Sequence, residues 1–128
     1  MKHQLDENKP IFIQIKEQLE DSIINGNIEQ DERVPSTNEF ATYYKINPAT
    51  AAKGINELVD EGILLKRRGV GMFVTVDAKA ILIEKRKQTF NENYVYPLIR
   101  EAEKLRINMN DLLQMVEREG KSHEDWNK

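Results

Sequence analysis

Apolar residues recur at helical spacing through the first half of the chain, and the gaps between the runs fall at Pro, Gly, Ser and Asn. Phe12, Ile15, Leu19 and Ile23 lie three and four residues apart, which makes one face of a helix apolar. Pro10 stands at the start of that run and Gly26 just past its end, the positions where each residue punctuates a helix best. Residues 27–35 are polar and punctuated and read as a connection. Ser36-Thr37-Asn38-Glu39 then offers a hydroxyl that can cap a helix and a Glu three residues on that can reach back. A short second helix is therefore expected over 37–44, with Phe40, Ala41 and Tyr44 inward. Lys45-Ile46-Asn47 leaves room only for a turn, and Asn47-Pro48 supplies an N-cap followed by Pro at the first helical position. The third helix is predicted over 48–61, with Ala51, Ile55, Leu58 and Val59 inward and Gly62 ending it.

Beyond Gly62 the pattern is that of a hairpin: strand 63–67, turn 68–71 and strand 72–76. From Asp77 helical spacing returns, and Phe90, Tyr94, Leu98, Ala102 and Leu105 fall on one stripe. Pro97 lies inside this stretch and removes a backbone donor, so the helix either kinks there or breaks in two. Asn108-Met109-Asn110-Asp111 can cap a last short helix carrying Leu112, Leu113, Met115 and Val116, and residues 120–128 are expected to fray.

The length, 128 residues, suits one ordinary domain, and the 39% hydrophobic and 32% charged fractions are those of a globular protein. The formal net charge of −3 provides no overall cationic field, so any anionic partner must be met by a local patch. The lack of cysteine excludes disulfides, thiolate zinc sites and cysteine nucleophiles, and is compatible with a reducing cytoplasm. No apolar run approaches the roughly 20 residues that span a bilayer, and residues 1–7 lack the apolar stretch of a signal peptide. A soluble, cytoplasmic protein without a membrane partner is expected.

Two short helices joined by a three-residue turn and followed by a basic hairpin make a winged helix-turn-helix. The expected fold is α+β: a winged helix-turn-helix of three helices plus a β-hairpin wing over 1–76, then a short α-helical dimerisation tail over 77–128. The third helix can enter the roughly 12 Å wide major groove of DNA while the wing, 66–72, lies beside it near the backbone or minor groove. Acids outnumber bases in 1–76, but they crowd the first helix and the loop after it. Lys45, Lys53, Lys66, Arg67 and Arg68 come instead from the turn, the recognition helix and the hairpin.

Four blocks in order carry a family resemblance: Pro10-Ile11-Phe12-Ile13-Gln14-Ile15, Val34-Pro35-Ser36, Glu57-Leu58-Val59-Asp60-Glu61-Gly62-Ile63-Leu64 and Arg68-Gly69-Val70-Gly71-Met72-Phe73-Val74. With them the sequence resembles the GntR family of bacterial transcription regulators. Ile46-Asn47-Pro48-Ala49-Thr50 further resembles its YtrA-type subfamily, whose short helical tail agrees with the roughly 50 residues after Val76, too few for the ligand-binding domains of larger relatives. Many members have Arg where this chain has Asn38, Pro48 and Ala52, so those contacts do not carry over. The resemblance implies DNA contact by Ser36, Asn47, Ala49, Thr50 and Lys53, minor-groove insertion by Arg68 and Gly69, and a transporter-type operon as target.

Each residue also has a plainer role. Ser36 and Asn47 are helix caps, compatible with phosphate contact because a helix N-terminus attracts anions. Lys53 suits a solvated helix face, and Arg67 and Arg68 suit edge charges that block sheet aggregation. DNA contact is the stronger reading for all three, since they lie on the recognition helix and wing. Gly69-Val70-Gly71 lacks the third Gly of a phosphate loop and sits between strands, so it is a hairpin turn and implies no cofactor. Gly54 costs its helix on the order of 1 kcal/mol relative to Ala. His3 and His123 lack metal-ligand spacing, and Ser122 lacks a base, so no metal and no enzyme is expected. Phe90 and Tyr94-Val95-Tyr96 can hold an aromatic ligand or, more in keeping with helical spacing, a dimer core. The expected partners are double-stranded DNA with a pseudo-palindromic operator and a second copy of the chain; no small-molecule effector is specified. The competing class is a winged-helix protein-interaction module that binds no DNA, against which the Lys66-Arg67-Arg68 run argues.

Overall fold

The computed structural model describes residues 8–126, and side chains through His123. Helix α1, Ile11–Ile24, begins one residue after Pro10, whose carbonyl accepts the N–H groups of Ile13 and Gln14. Gly26, at φ +82°, turns the chain away from its end. Helix α2, Thr37–Tyr44, opens on the complete capping box: Ser36 Oγ accepts the Glu39 N–H, and Glu39 accepts the Ser36 N–H. Lys45 takes the left-handed conformation at φ 56° to make the short turn into helix α3, Pro48–Asp60.

The sheet has three strands, one more than the hairpin alone. Strand β1, Arg33–Val34, pairs antiparallel with β3, Gly71–Val74, whose other side pairs antiparallel with β2, Leu64–Arg67. A two-residue strand is too short to show alternation, which is why residues 27–35 read only as a connection. Strand β3 stops at Val74, two residues before the expected end. Thr75 there donates its N–H to the Ile63 carbonyl and its hydroxyl to the Gly62 carbonyl at 2.7 Å, anchoring the exit to the start of β2. Val34, Leu64, Met72 and Val74 face a core they share with Ile15, Leu19 and Ile23 of α1, Phe40 and Ala41 of α2, and Ala51, Ile55 and Leu58 of α3. Tyr44 and Val59, also expected inward, are partly buried against it.

Helix α4, Ala78–Phe90, contributes Ala78 and Leu82 to that same core. The first compact unit runs to Arg86. The second unit starts at Lys87. In it a π-helical segment, Asn91–Val95, joins α4 to helix α5, Tyr96–Lys104. The Tyr96 N–H reaches back five residues to the Asn91 carbonyl, and Pro97 follows at once. Helical backbone thus continues through Pro97, and the wider turn makes room for a ring that would otherwise press on the carbonyl four residues earlier. Asn108 Oδ1 accepts the Asp111 N–H at 2.9 Å and caps helix α6, Met109–Trp126. This last helix is long, not short, and continues through Gly120 where fraying was expected; residues 127 and 128, like His3 and the rest of 1–7, lie outside the described residues. Among the described residues no helix is long and apolar enough to cross a membrane.

Candidate nucleic-acid interface

Helix α3 starts on an exposed edge formed by Asn47, Pro48 and Ala49, with Thr50 half-buried behind it. Asn47 Oδ1 accepts the Ala49 N–H at 2.8 Å, and its backbone carbonyl accepts those of Thr50 and Ala51. This cap occupies the side-chain oxygen and not the amide NH2, which can still donate to a base or phosphate. At α2 the cap uses a lone pair of Ser36 Oγ, and its O–H faces the Glu39 carboxyl, whose charge it favours. Capping and contact are thus chemically compatible at Asn47.

Lys53, one turn beyond Ala49, is exposed, but its ammonium lies 4.1 Å from the centroid of the Phe12 ring on α1. Such a cation–π contact at an exposed site is worth about 0.5–1 kcal/mol, enough to orient the side chain and weak enough to be exchanged for an anion. Gly54 beside it explains the close approach of the helices: a Cβ there would stand 2.5 Å from the Phe12 carbonyl oxygen.

In the wing, the Arg67 guanidinium sits 4.7 Å from the Phe73 ring on the next strand. Arg68 and Gly69 form the exposed turn, closed by the Val70 N–H to the Arg67 carbonyl at 2.9 Å. Gly69 adopts φ +78° in open space, so backbone conformation, not crowding, requires glycine there. Arg33, absent from the sequence-based site, extends over Gly71 at the base of this turn and places Nη2 3.5 Å from Glu39 Oε1. The Ser36 backbone N–H and then its hydroxyl, with a smaller contribution from Arg33, hold the Glu39 carboxyl below its ordinary value. A chain of contacts, Ser36–Glu39–Arg33–Gly71, therefore joins the start of α2 to the wing, whereas Lys53 is tied to α1. The only sequence signal for Arg33 was a basic residue just before Val34-Pro35-Ser36, in a strand too short to recognise.

In the second unit Phe90, Tyr94, Leu98 and Leu105 are exposed, with the Phe90 and Tyr94 rings 5.5 Å apart. Ala102 is already buried within the chain. Met109, Leu113 and Val116 on α6 are exposed as well. His123 is exposed, and among the described residues no three His, Asp or Glu side chains gather as a metal site requires.

Residues 13–74 match the family described as bacterial regulatory proteins, gntR family. The transcriptional repressor YtrA of Bacillus subtilis is 31% identical over 107 residues, spanning 84% of this chain and 82% of that protein. The structure of a GntR family transcriptional regulator from Listeria monocytogenes superposes with a TM-score of 0.69 at 28% identity, over 89% of this chain and 98% of the other. The DNA-binding domain of AraR, solved in complex with operator ORX1, superposes with a TM-score of 0.51 at 32% identity over 59% of this chain and 92% of that domain.

Proposed function

Since this chain belongs to the gntR family of bacterial regulatory proteins and is a DNA-binding transcription regulator rather than an enzyme, we propose that it is a cytoplasmic, homodimeric repressor reading a pseudo-palindromic operator. Residues 1–76 bind DNA and residues 77–128 dimerise. The observation that carries the reading is the exposed start of α3: Asn47 caps through its oxygen alone and keeps its amide hydrogens for DNA, beside Ala49, Thr50 and Lys53. That edge enters the major groove of each half-site, Ser36 meets phosphate, and Arg67, Arg68 and Gly69 of the wing lie at the minor groove. The likeness to an operator-bound domain supports double-stranded DNA as the partner. The exposed Phe90, Tyr94, Leu98 and Leu105 support the dimer, as a row of apolar side chains that a second copy would cover. A transporter-type operon is the proposed target, and the genes beside this one test that part directly.

Lys53→Ala and Arg68→Ala, measured across an operator library at one fixed salt concentration, test the DNA face. Lys53→Ala should relax preference at one major-groove position per half-site, costing about 1–3 kcal/mol if a base is contacted. Arg68→Ala should weaken binding most where A·T-rich sequence narrows the minor groove and concentrates negative potential. If both stay within about 0.5 kcal/mol of the parent, as inconsequential surface changes do, the face is misplaced and the protein-interaction reading replaces it.

A further inference from the structure

We infer that Arg33 is a phosphate-binding residue of the DNA interface, seated between the start of α2 and the wing, with Glu39 as the counter-ion it carries in the free protein. The inference rests on the DNA face proposed above and adds to it a contact that the sequence did not suggest.

Three features of the Arg33 side chain lead there. Its stem is laid along the wing: a Cβ on Gly71 would come within 2.7 Å of Arg33 Nε and 3.4 Å of Cδ, so the arginine lies against the bare Cα of Gly71 beside the turn. Its head meets the first turn of α2, with Nη2 3.5 Å from the Glu39 oxygen that also accepts the Ser36 N–H. Its charge is only loosely spent, because both partners are more than half exposed, at 52% and 57%, and ion pairs so exposed are weak. A guanidinium has five donors in a planar fork suited to two oxygens of one phosphate, and a single long contact to Glu39 leaves most of them for another anion.

Position decides which anion. An element in the major groove and a wing in the adjacent minor groove are separated by the sugar-phosphate backbone that divides the grooves. A cation held between those two elements meets that backbone and not a base edge, so it adds affinity without sequence information. Glu39, in turn, places a carboxylate beside the same path. Its role in the capping box needs an acceptor at that position but no charge, because Gln serves there as well as Glu. Glu39 therefore lowers DNA affinity while it holds Arg33 in place before binding.

Arg33→Ala and Glu39→Gln are compared with the parent and with Arg68→Ala in the full-length protein. The probes are the duplex enriched from a random-sequence library and a scrambled duplex of equal length, each titrated over a range of salt. Arg33→Ala should weaken both duplexes by a similar factor, about ten-fold per head, and reduce the slope of log affinity against log salt by about one for each phosphate no longer neutralised. Glu39→Gln should tighten both duplexes at low salt with at most a slight fall in the urea midpoint, since the cap keeps its acceptor and loses only the charge. Unchanged affinity and slope in Arg33→Ala, alongside weaker binding by Arg68→Ala, would overturn this assignment and leave the proposed face standing. A loss confined to one operator position would overturn it too, by making Arg33 a base reader. If neither arginine matters, the Arg33 assignment falls, and the face falls with it when Lys53→Ala is inert as well.

Discussion

Gly54 illustrates how far a residue's role depends on a neighbour remote in sequence. In the interior of a helix glycine is unfavourable by about 1 kcal/mol relative to alanine, and by that measure alone Gly54→Ala should stabilise the protein. The Phe12 carbonyl reverses the sign. A methyl group 2.5 Å from that oxygen and 3.4 Å from its carbon would have to push α1 and α3 apart, because the obstruction is backbone and not a side chain that can swing aside. Gly54→Ala is expected to lower the urea midpoint, with a net loss of about 1–3 kcal/mol typical of overpacking. A midpoint at or above that of the parent would show that the two helices can separate freely. The same crossing brings Phe12 under Lys53, so the variant should also displace the lysine from its aromatic seat. Here the sequence supplied the helix and the odd glycine, but not the partner that explains it.

Among the elements, α1, α3 and α4 are joined by charge as well as by apolar packing. Lys16 of α1 pairs with Glu57 of α3 at 3.4 Å and with Glu61, the residue that caps its C-terminus, at 3.1 Å. Lys85 of α4 bridges Glu61 at 3.0 Å and Glu20 of α1 at 2.9 Å, and Arg86 meets Asp21 at 2.6 Å. Burial raises the Glu61 carboxyl, but hydrogen bonds and charge from Lys85 and Lys16 outweigh it and hold the group below its ordinary 4.5. Burial likewise pulls Lys85 down, and Glu20 and Glu61 overcome it to lift the ammonium above its ordinary 10.5. A lowered carboxyl stabilises the fold above its unfolded value and loses that contribution as pH falls through the folded one; a raised ammonium stabilises below its unfolded value and loses it as pH rises through the folded one. The cluster is therefore intact between those limits and fails on both sides. Glu61→Gln should cost about 1–2 kcal/mol near neutral pH, modest because Glu61 is about a third exposed. It should also make the acid limb of a stability–pH curve, built from urea titrations, shallower below 4.5. An acid limb as steep as the parent's would show that Glu61 has no share in it. The sequence showed acids crowding α1, and only the fold supplied the cations of α4 that answer them.

At the scale of the whole molecule the π-helical turn has a geometric effect on the proposed dimer stripe. In an unbroken α-helix the eight residues from Phe90 to Leu98 rotate about 80° beyond two full turns, and one extra residue in a wider turn takes back about 100°. Leu98 thus returns to within about 20° of Phe90, and an apolar row that would otherwise spiral away stays on one side. Leu98 is exposed in the single chain, so Leu98→Asp should leave the fold intact while placing a charge in the proposed interface. Sedimentation is expected to show a monomer, and operator affinity should fall by orders of magnitude as the linkage between two half-site contacts is broken. A variant that sediments as the parent does, and as a dimer, would move the interface elsewhere, with the exposed Met109, Leu113 and Val116 of α6 the next surface to alter.

What the sequence determined by itself were the features whose physics is local. The Ser36/Glu39 capping box, the Asn47-Pro48 start, the glycine that ends α3 and the apolar spacing of α1 to α3 each involve residues within a turn or two of one another, and these elements lie within a residue or so of their expected bounds. The order of helices and hairpin then allowed the winged helix-turn-helix to be read directly. Tertiary structure alone decided the rest. Strand β1 exists because β3 offers it a ladder, Gly54 because Phe12 lies across it, and Arg33 joins the wing to α2 through Gly71 on one side and Glu39 on the other. Ala78 and Leu82 extend the first unit because the core has room for them. In each of these cases the stabilising partner lies far along the chain, where neither periodicity nor a cap leaves a trace.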